Sequence, residues 1–133
     1  MAGYLLDTNI ISALVRAPLG PVAQRIARGG ERNVFTSVIV AAELHYGALK
    51  RRSPRLTASL HAILRGLEIR PLEPETAAHY GRLRLELERA GAPISGNDLL
   101  IAAHALSLDA TLVSDNEREF SRVNGLKLEN WLR

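Results

Sequence analysis

Short apolar runs alternate along the chain with longer segments whose apolar residues recur at helical spacing. The short runs have the length of β-strands and lie at 4–6, 34–36, 67–72, 111–113 and 126–128. The longer segments predict helices that begin with Thr8 or Asn9 as a cap, at Val22, at Val38, at Pro54, at Pro74 and just after Asn97. Strands that alternate with helices predict an α/β fold around a mostly parallel sheet of four to five strands.

Capping and breaking residues support these boundaries. Gly29 and Gly30 are placed to end the second predicted helix, and Ser37 is placed to cap the third. The helix that follows Asn97 is apolar on all sides, which predicts that it is buried. The segment from Ser114 to Glu119 is polar and is predicted to be a turn.

Length and composition place the chain among compact globular proteins. Its 133 residues, 47% of them hydrophobic, predict a single domain over residues 1–133. The sequence has no cysteine, which excludes disulfides, zinc–thiolate sites and a thiol nucleophile, and favours the cytoplasm. It has no signal-peptide pattern at its start and no apolar run near the roughly 18 residues of a membrane span. We therefore expect a soluble, cytoplasmic protein without a membrane partner.

Four acidic residues interrupt or end apolar segments, and they are Asp7, Glu43, Asp98 and Asp115. Buried carboxylates are costly to desolvate, so several that converge require a cation between them. Asp7 and Asp115 follow predicted strands, and ligand sites in parallel sheets form beyond the carboxyl ends of the strands. Because Glu43 and Asp98 lie in early turns of helices, all four are expected at that edge, where they would form a divalent-metal site.

The donor type limits which metal such a site would hold. Mg²⁺ and Mn²⁺ prefer oxygen ligands, and the four histidines are scattered along helices without forming a cluster. Asp7 and Asp98 are the predicted direct ligands. Glu43 is expected to bind a second metal, to bind through water or to act as general base, and Asp115 to bind a second metal or orient the attacking water. Asn9 and Asn116 are expected to support the ligands.

The charge of the chain bears on its substrate. There are 17 Lys and Arg against 14 Asp and Glu, for a net charge of +3 and a pI near 9.8. If the acids gather in one pocket, the remaining surface is more basic than this figure, which suits a nucleic acid. A basic run at 50–55 (Lys50, Arg51, Arg52 and Arg55) is able to follow a phosphate backbone.

Two other functions are compatible with parts of the pattern. An aspartyl phosphatase also places an Asp after its first strand, but dehalogenase-like phosphatases need a second Asp where this chain has Asn9. A non-catalytic RNA-binding module is the other alternative. The chain has only six aromatic residues for base stacking, and a binding module has no use for carboxylates that repel phosphate.

The sequence resembles the PIN-domain ribonuclease toxins of VapBC toxin–antitoxin systems. The similarity spans nearly the whole chain and rests on 5–9 (LLDTN), 37–47 (SVIVAAELHYG), 94–105 (ISGNDLLIAAHA), 112–120 (LVSDNEREF) and 122–131. The resemblance implies a PIN-like three-layer α/β/α sandwich and a Mg²⁺- or Mn²⁺-dependent endoribonuclease that cleaves structured RNA, either tRNA or rRNA. It also implies a small antitoxin that blocks the site, and both a homodimer and a toxin–antitoxin hetero-oligomer.

By this resemblance Asp7, Glu43 and Asp98 match the acidic triad of the family. Members often have Asp or Asn two residues after the Thr that ends the fourth strand. Here Ser114 replaces that Thr and Asn116 has that place, so the fourth acid is Asp115, Glu119 or neither, and we rank Asp115 first. Antitoxin and homodimer contacts are expected on apolar helical surface around 10–15 and 56–64.

Overall fold

The computed structural model describes residues 3–29 and 33–133. Within them, strands and helices alternate in the following order: β1 (Tyr4–Leu6), α1 (Thr8–Arg16), α2 (Pro21–Gly29), β2 (Val34–Ser37), α3 (Val38–Arg51), α4 (Pro54–Arg65), β3 (Glu68–Arg70), α5 (Glu75–Arg89), α6 (Gly96–Ser107), β4 (Thr111–Val113), α7 (Glu117–Phe120) and β5 (Lys127–Glu129). The predicted alternation is therefore confirmed.

The five strands form one parallel sheet in the order β3-β2-β1-β4-β5. Strand β1 lies at its centre, where Leu6 is in register with Thr36 on one side and Val113 on the other. Helices flank the sheet, which confirms the predicted three-layer sandwich. All of its strand pairs are parallel, so the sheet is wholly rather than mostly parallel. The carboxyl ends of β1 and β4 are adjacent, so the residues that follow them share one edge.

The core lies on both sides of the central strands. Leu5, Leu6, Leu112 and Val113 are fully buried, as expected for strands covered on both faces. Helix α6 buries a nearly continuous run from Ile101 to Ala105, which confirms that the all-round apolar helix is a core helix. In the described residues, no helix has the length and apolarity to span a bilayer.

Several predicted boundaries move in the structure. Helix α1 begins at Thr8, so Asp7 rather than Thr8 or Asn9 takes the N-cap position. Helix α6 begins at Gly96 because the Ser95 hydroxyl accepts the amide of Asp98 at 3.3 Å. Strand β3 is shorter than predicted and β5 lies one residue later. Gly30, predicted to help end the second helix, falls outside the described residues.

The predicted contact surface around 10–15 and 56–64 is partly buried, and its role in partner contacts stays a prediction. Ile10 and Ile11 on α1, and Leu60 and Leu64 on α4, are buried in the protein's own core. Val15 on α1 and Leu56 on α4 are only partly buried and line an open cavity, so part of this apolar surface stays accessible. Large apolar side chains that are exposed lie elsewhere, at Leu19, Val38, Tyr46, Leu49, Ile69 and Leu85.

The junction between β2 and α3 is fixed by a buried polar pair. The Ser37 hydroxyl accepts the amide of Ile39 at 3.1 Å, which confirms the predicted cap. The same hydroxyl lies 2.9 Å from Nδ1 of His104, a fully buried side chain on α6. Burial lowers the pKa of His104. This contact joins the start of α3, the helix that carries Glu43, to α6.

Candidate active site

Asp7 lies at the carboxyl edge of the sheet, directly after β1, and only 4% of it is exposed. Its backbone is fully hydrogen-bonded, since its amide donates to the carbonyl of Val113 and its carbonyl accepts the amides of Ile10 and Ile11. Its carboxylate makes no capping hydrogen bond to α1. Instead it accepts the buried hydroxyl of Ser114 at 2.7 Å, with the amide of Asn9 at 3.4 Å. Two side chains from outside β1 thus orient the carboxylate of Asp7.

Glu43 is held from two sides by neutral donors. The hydroxyl of Thr8 donates to its Oε1 at 2.8 Å, and the amide of Asn97 donates to its Oε2 at 3.2 Å. These donors come from the first turns of α1 and α6. The carboxylate of Glu43 is thus oriented between the segments that carry Asp7 and Asp98.

Asp98 lies in the first turn of α6 and contacts the segment that follows β4. The amide nitrogen of Asn116 is 3.4 Å from Oδ2 of Asp98 and 3.4 Å from Oε2 of Glu119. Asn116 therefore links two carboxylates on different elements. Asn9 contacts Asp7 and Asn116 contacts Asp98, and the role predicted for these two amides as supports of metal ligands stays a prediction.

One open cavity of about 400 Å³ brings most of the predicted residues together, and we call it the acid pocket. Its lining residues are Asp7, Thr8, Asn9, Ser12, Arg16, Glu43, Asp98 and Asn116. The acidic members come from the end of β1, from α3 and from α6. Spacing in the sequence could suggest this convergence, but only the fold brings the three acids to one place.

Asp115, our first choice for the fourth acid, does not lie with the other three. It is exposed, its Oδ1 accepts the amide of Asn130 at 2.9 Å, and it lies 3.8 Å from the guanidinium of Arg133. It does not line the acid pocket, although its backbone amide donates to Asn9 at 2.9 Å. The chain turns into α7 at this point, so the side chain of Asp115 points toward the C-terminal segment. Glu119, the other acid considered for that position, is the one that reaches Asp98 through Asn116.

The acids perturb one another electrostatically. Burial, the neighbouring Glu119 carboxylate and the charge of Asp7 raise the pKa of Asp98 to about 7. Burial also raises the pKa of Asp7, against the hydrogen bond from Ser114, and the charge of Glu43 adds to the rise. In residues 3–29 and 33–133, no Lys or Arg forms an ion pair with Asp7, Glu43 or Asp98. Among the described residues, no ion pair therefore neutralises these three carboxylates, although Arg16 lines the same pocket.

This donor set fits a hard divalent cation. The pocket offers carboxylate, hydroxyl and amide oxygens, which are the ligands of Mg²⁺ and Mn²⁺. Within the described residues, no three acidic or histidine side chains surround a single point closely enough to enclose an ion. Mg²⁺ usually takes one or two protein carboxylates and completes its shell with water and substrate phosphate, so an open site of this kind suits it.

Sequence reasoning missed three side chains that orient the acids. Ser114 supports Asp7, and Thr8 and Asn97 hold Glu43. A signal was present, because Thr8 and Asn97 are the immediate neighbours of Asp7 and Asp98 in the sequence. The sequence does not show which acid each of them contacts, because Thr8 and Asn97 both donate to Glu43 on another element.

Comparison with known proteins agrees with this geometry. Residues 4–126 match the PIN domain family. A protein of Haemophilus influenzae named Ribonuclease VapC2 is 42% identical over 133 residues, which cover 99% of this chain and 100% of that protein. The chain belongs to the VapC family of PIN-domain proteins. VapC membership disfavours the aspartyl-phosphatase alternative.

Other VapC proteins are similar along their whole length. The tRNA(fMet)-specific endonuclease VapC of Shigella flexneri is 34% identical over 132 residues, with 98% of this chain and 99% of that protein covered. The crystal structure of VapBC2 from Rickettsia felis, bound to a DNA fragment from their promoter, has a chain that superposes with a TM-score of 0.87. That chain is 38% identical, and the match covers 96% of this chain and 98% of that one.

Proposed function

We propose that this chain is a single-domain, cytoplasmic endoribonuclease toxin that depends on Mg²⁺ or Mn²⁺. The observation that supports this most directly is the acid pocket. Asp7, Glu43 and Asp98 line one open cavity in a VapC-family fold, and neutral donors rather than cations hold them. Such a cluster costs folding free energy, and binding a divalent cation offsets that cost.

The side chains have distinct roles in this proposal. Asp7 and Asp98 bind the metal, and Glu43, fixed by Thr8 and Asn97, binds a second ion or receives a proton from the attacking water. When bound, Mg²⁺ or Mn²⁺ supplies Lewis-acid stabilisation of the charge that develops on a phosphodiester. Ser114 keeps the carboxylate of Asp7 in one orientation. Glu119, near Asp98, takes the place of the fourth acid.

Structured RNA is the proposed substrate, and tRNA is the first candidate. The relative from Shigella flexneri that is 34% identical is named a tRNA(fMet)-specific endonuclease. The net charge of +3, reached despite the acids in the pocket, leaves a basic surface suited to RNA. Ribosomal RNA is the second candidate, and a cleavage map of total RNA separates the two.

A small antitoxin is the proposed protein partner. The similar structure from Rickettsia felis is a VapBC2 assembly. We propose that an antitoxin covers the acid pocket and blocks access of RNA. The homodimer and the hetero-oligomer stay predictions, and light scattering of the purified protein, alone and with the antitoxin, measures both.

The test is cleavage of purified total RNA by the isolated protein with Mg²⁺, with Mn²⁺ and with EDTA. We expect discrete fragments that require metal and that disappear in Asp7→Asn and Asp98→Asn. The exposed variant Glu73→Gln, remote in sequence from the pocket residues, is the matched control and should cleave like the wild type.

The alternative function gives a different result. If wild type and variants bind RNA equally and none cleaves it with any metal, the chain is a non-catalytic RNA-binding module and the nuclease proposal is wrong. Cleavage that persists in both Asp variants would also contradict it, because the activity would then come from elsewhere.

A further inference from the structure

Two helices each carry residues at a spacing of four from the acid pocket to an arginine. On α1, Thr8, Ser12 and Arg16 are spaced four residues apart, so they lie on one face. On α3, Glu43, Gly47 and Arg51 have the same spacing. The hydrogen bond between Thr8 and Glu43 joins the two faces at the acidic end.

All six of these residues line a second cavity of about 190 Å³, which we call the arginine groove. Thr8, Ser12, Arg16 and Glu43 also line the acid pocket, so the two cavities are continuous. Eight residues of helix rise about 12 Å, which sets the backbone distance from Thr8 to Arg16 and from Glu43 to Arg51. The backbone of each arginine thus lies about two helical turns from the acidic end of the groove, and the side chain of Arg16 also lines the acid pocket.

Both guanidiniums are available at the surface. Arg16 and Arg51 are exposed, and neither forms an ion pair with any residue in the described ranges 3–29 and 33–133. An arginine in the last turn of a helix is favourable for the helix dipole, and each of these ends its helix. The dipole explains each arginine alone, but it does not require both to line the same groove.

We propose that Arg16 and Arg51 bind backbone phosphates of the RNA that flank the phosphodiester held at the acid pocket. This inference rests on the proposed nuclease function. A cluster of carboxylates repels a polyanion, so a nuclease needs cations close by to hold the strand on either side of the reacting bond. Guanidiniums bind phosphate in a bidentate manner, and the arginine groove presents two of them where the strand leaves the acids.

The groove combines two kinds of lining, because apolar side chains form the rest of its wall, at Val15, Leu44, Ala48, Leu56 and Leu60. Its arginine end is cationic, and Gly47, between Glu43 and Arg51, leaves its centre open, since a Cβ added there meets no atom within 4 Å. A backbone strand requires such a clear path. The arginines are positioning residues in this proposal, because they contact phosphates away from the bond that is cleaved.

The first test measures the salt dependence of binding to end-labelled total tRNA by proteins that also contain Asp98→Asn, so that the probe stays intact. Arg16→Gln and Arg51→Gln should each weaken binding on the order of 3- to 10-fold. Each should also reduce the slope of log K against log salt by about 0.7 to 0.9, the range for one phosphate contact to single-stranded or duplex nucleic acid. Arg89→Gln, an exposed arginine in the last turn of α5, is the control.

The second test changes the charge of the groove without removing a contact. Gly47→Glu should weaken binding, whereas Gly47→Gln, of nearly the same shape, should weaken it much less. Gly81→Glu on α5 adds the same charge at another helical glycine with open space around it, and should leave binding near that of the parent. Because replacing a helical glycine favours the helix, loss of folding is not expected to confuse the comparison.

The outcomes separate this inference from the proposed nuclease function. Arginine-dependent binding in a chain that never cleaves RNA would support the arginine groove and contradict the nuclease. If Arg16→Gln and Arg51→Gln match Arg89→Gln in affinity and in salt slope while the wild type cleaves RNA, the nuclease stands and the arginine groove is not the RNA path.

Discussion

At the scale of one residue, Asp98 shows that the site lowers the free energy of unfolding. Its pKa of about 7 lies well above the ordinary 3.8, because burial, Glu119 and Asp7 all disfavour its charge. In the unfolded chain this carboxyl ionises near pH 4, whereas in the folded, metal-free chain it ionises near pH 7. The ionised form therefore costs folding free energy. That cost is absent below about pH 4, grows between pH 4 and 7, and is complete above pH 7.

Asp98→Asn should consequently stabilise the metal-free protein at alkaline pH while it abolishes cleavage. We expect its free energy of unfolding in EDTA to exceed that of the wild type by about 1–2 kcal/mol at pH 8, after allowance for solvent screening at this half-exposed group. The difference should shrink toward pH 5. Urea denaturation at a series of pH values measures it, with Glu73→Gln as an exposed control.

Added Mg²⁺ should make the wild type more stable than Asp98→Asn at pH 8. The cation binds the folded wild type, whereas the variant lacks one of the proposed metal ligands. A wild type that is more stable than Asp98→Asn at pH 8 in EDTA would contradict this electrostatic account of the pocket.

At the scale of elements, α7 decides which acid is the fourth. This helix of four residues lies in a segment that the sequence predicted as a turn. Its start turns Asp115 toward Asn130, and its third residue, Glu119, approaches Asp98 through Asn116. Such short elements have little periodicity, so no pattern of residues could have distinguished the two acids.

The two acids should therefore differ in their effect on cleavage. Glu119→Gln is expected to lower the single-turnover rate on the order of 10- to 100-fold, as for residues that support metal ligands. Asp115→Asn should leave the rate close to that of the wild type, because its carboxylate contacts the C-terminal segment instead. The reverse ranking would restore our first choice from the sequence and remove Glu119 from the site.

The longer elements were predictable for physical reasons. Helix α6 is apolar on all sides because it is buried, and β1 and β4 are continuous apolar runs because helices cover both faces of the sheet. Ser37 was recognised as a cap because a hydroxyl before a helical pattern has few other roles. The role of the apolar faces of α1 and α4 in partner contacts stays a prediction, since residues such as Ile10 and Leu60 have the same pattern whether they face a core or a partner.

At the scale of the whole molecule, the acids were predictable but their supports were not. Asp7 and Asp98 could be recognised because a carboxylate next to an apolar run needs an explanation. Thr8, Asn97 and Ser114 act on acids that are 35, 54 and 107 residues away in sequence. These pairings depend on the strand order of the sheet, which no local pattern specifies. The single domain over 1–133 stays a prediction.

The fold as a whole places one acidic edge beside one cationic groove. The order β2-β1-β4 puts the end of β1 at the centre of the sheet, and α3 and α6 bring their acids to that position. The central claim is that Asp7, Glu43 and Asp98 together form a divalent-metal site, on which the proposed cleavage of RNA depends.

The most direct test is titration of the RNA-free protein with Mn²⁺, followed by electron paramagnetic resonance of the free ion and by competition with Mg²⁺. We predict saturable binding to the wild type and to Glu73→Gln, displacement by Mg²⁺, and much weaker binding to Asp7→Asn and Asp98→Asn. If the wild type binds no Mn²⁺, or if both pocket variants bind it as the wild type does, the acid pocket is not the metal site.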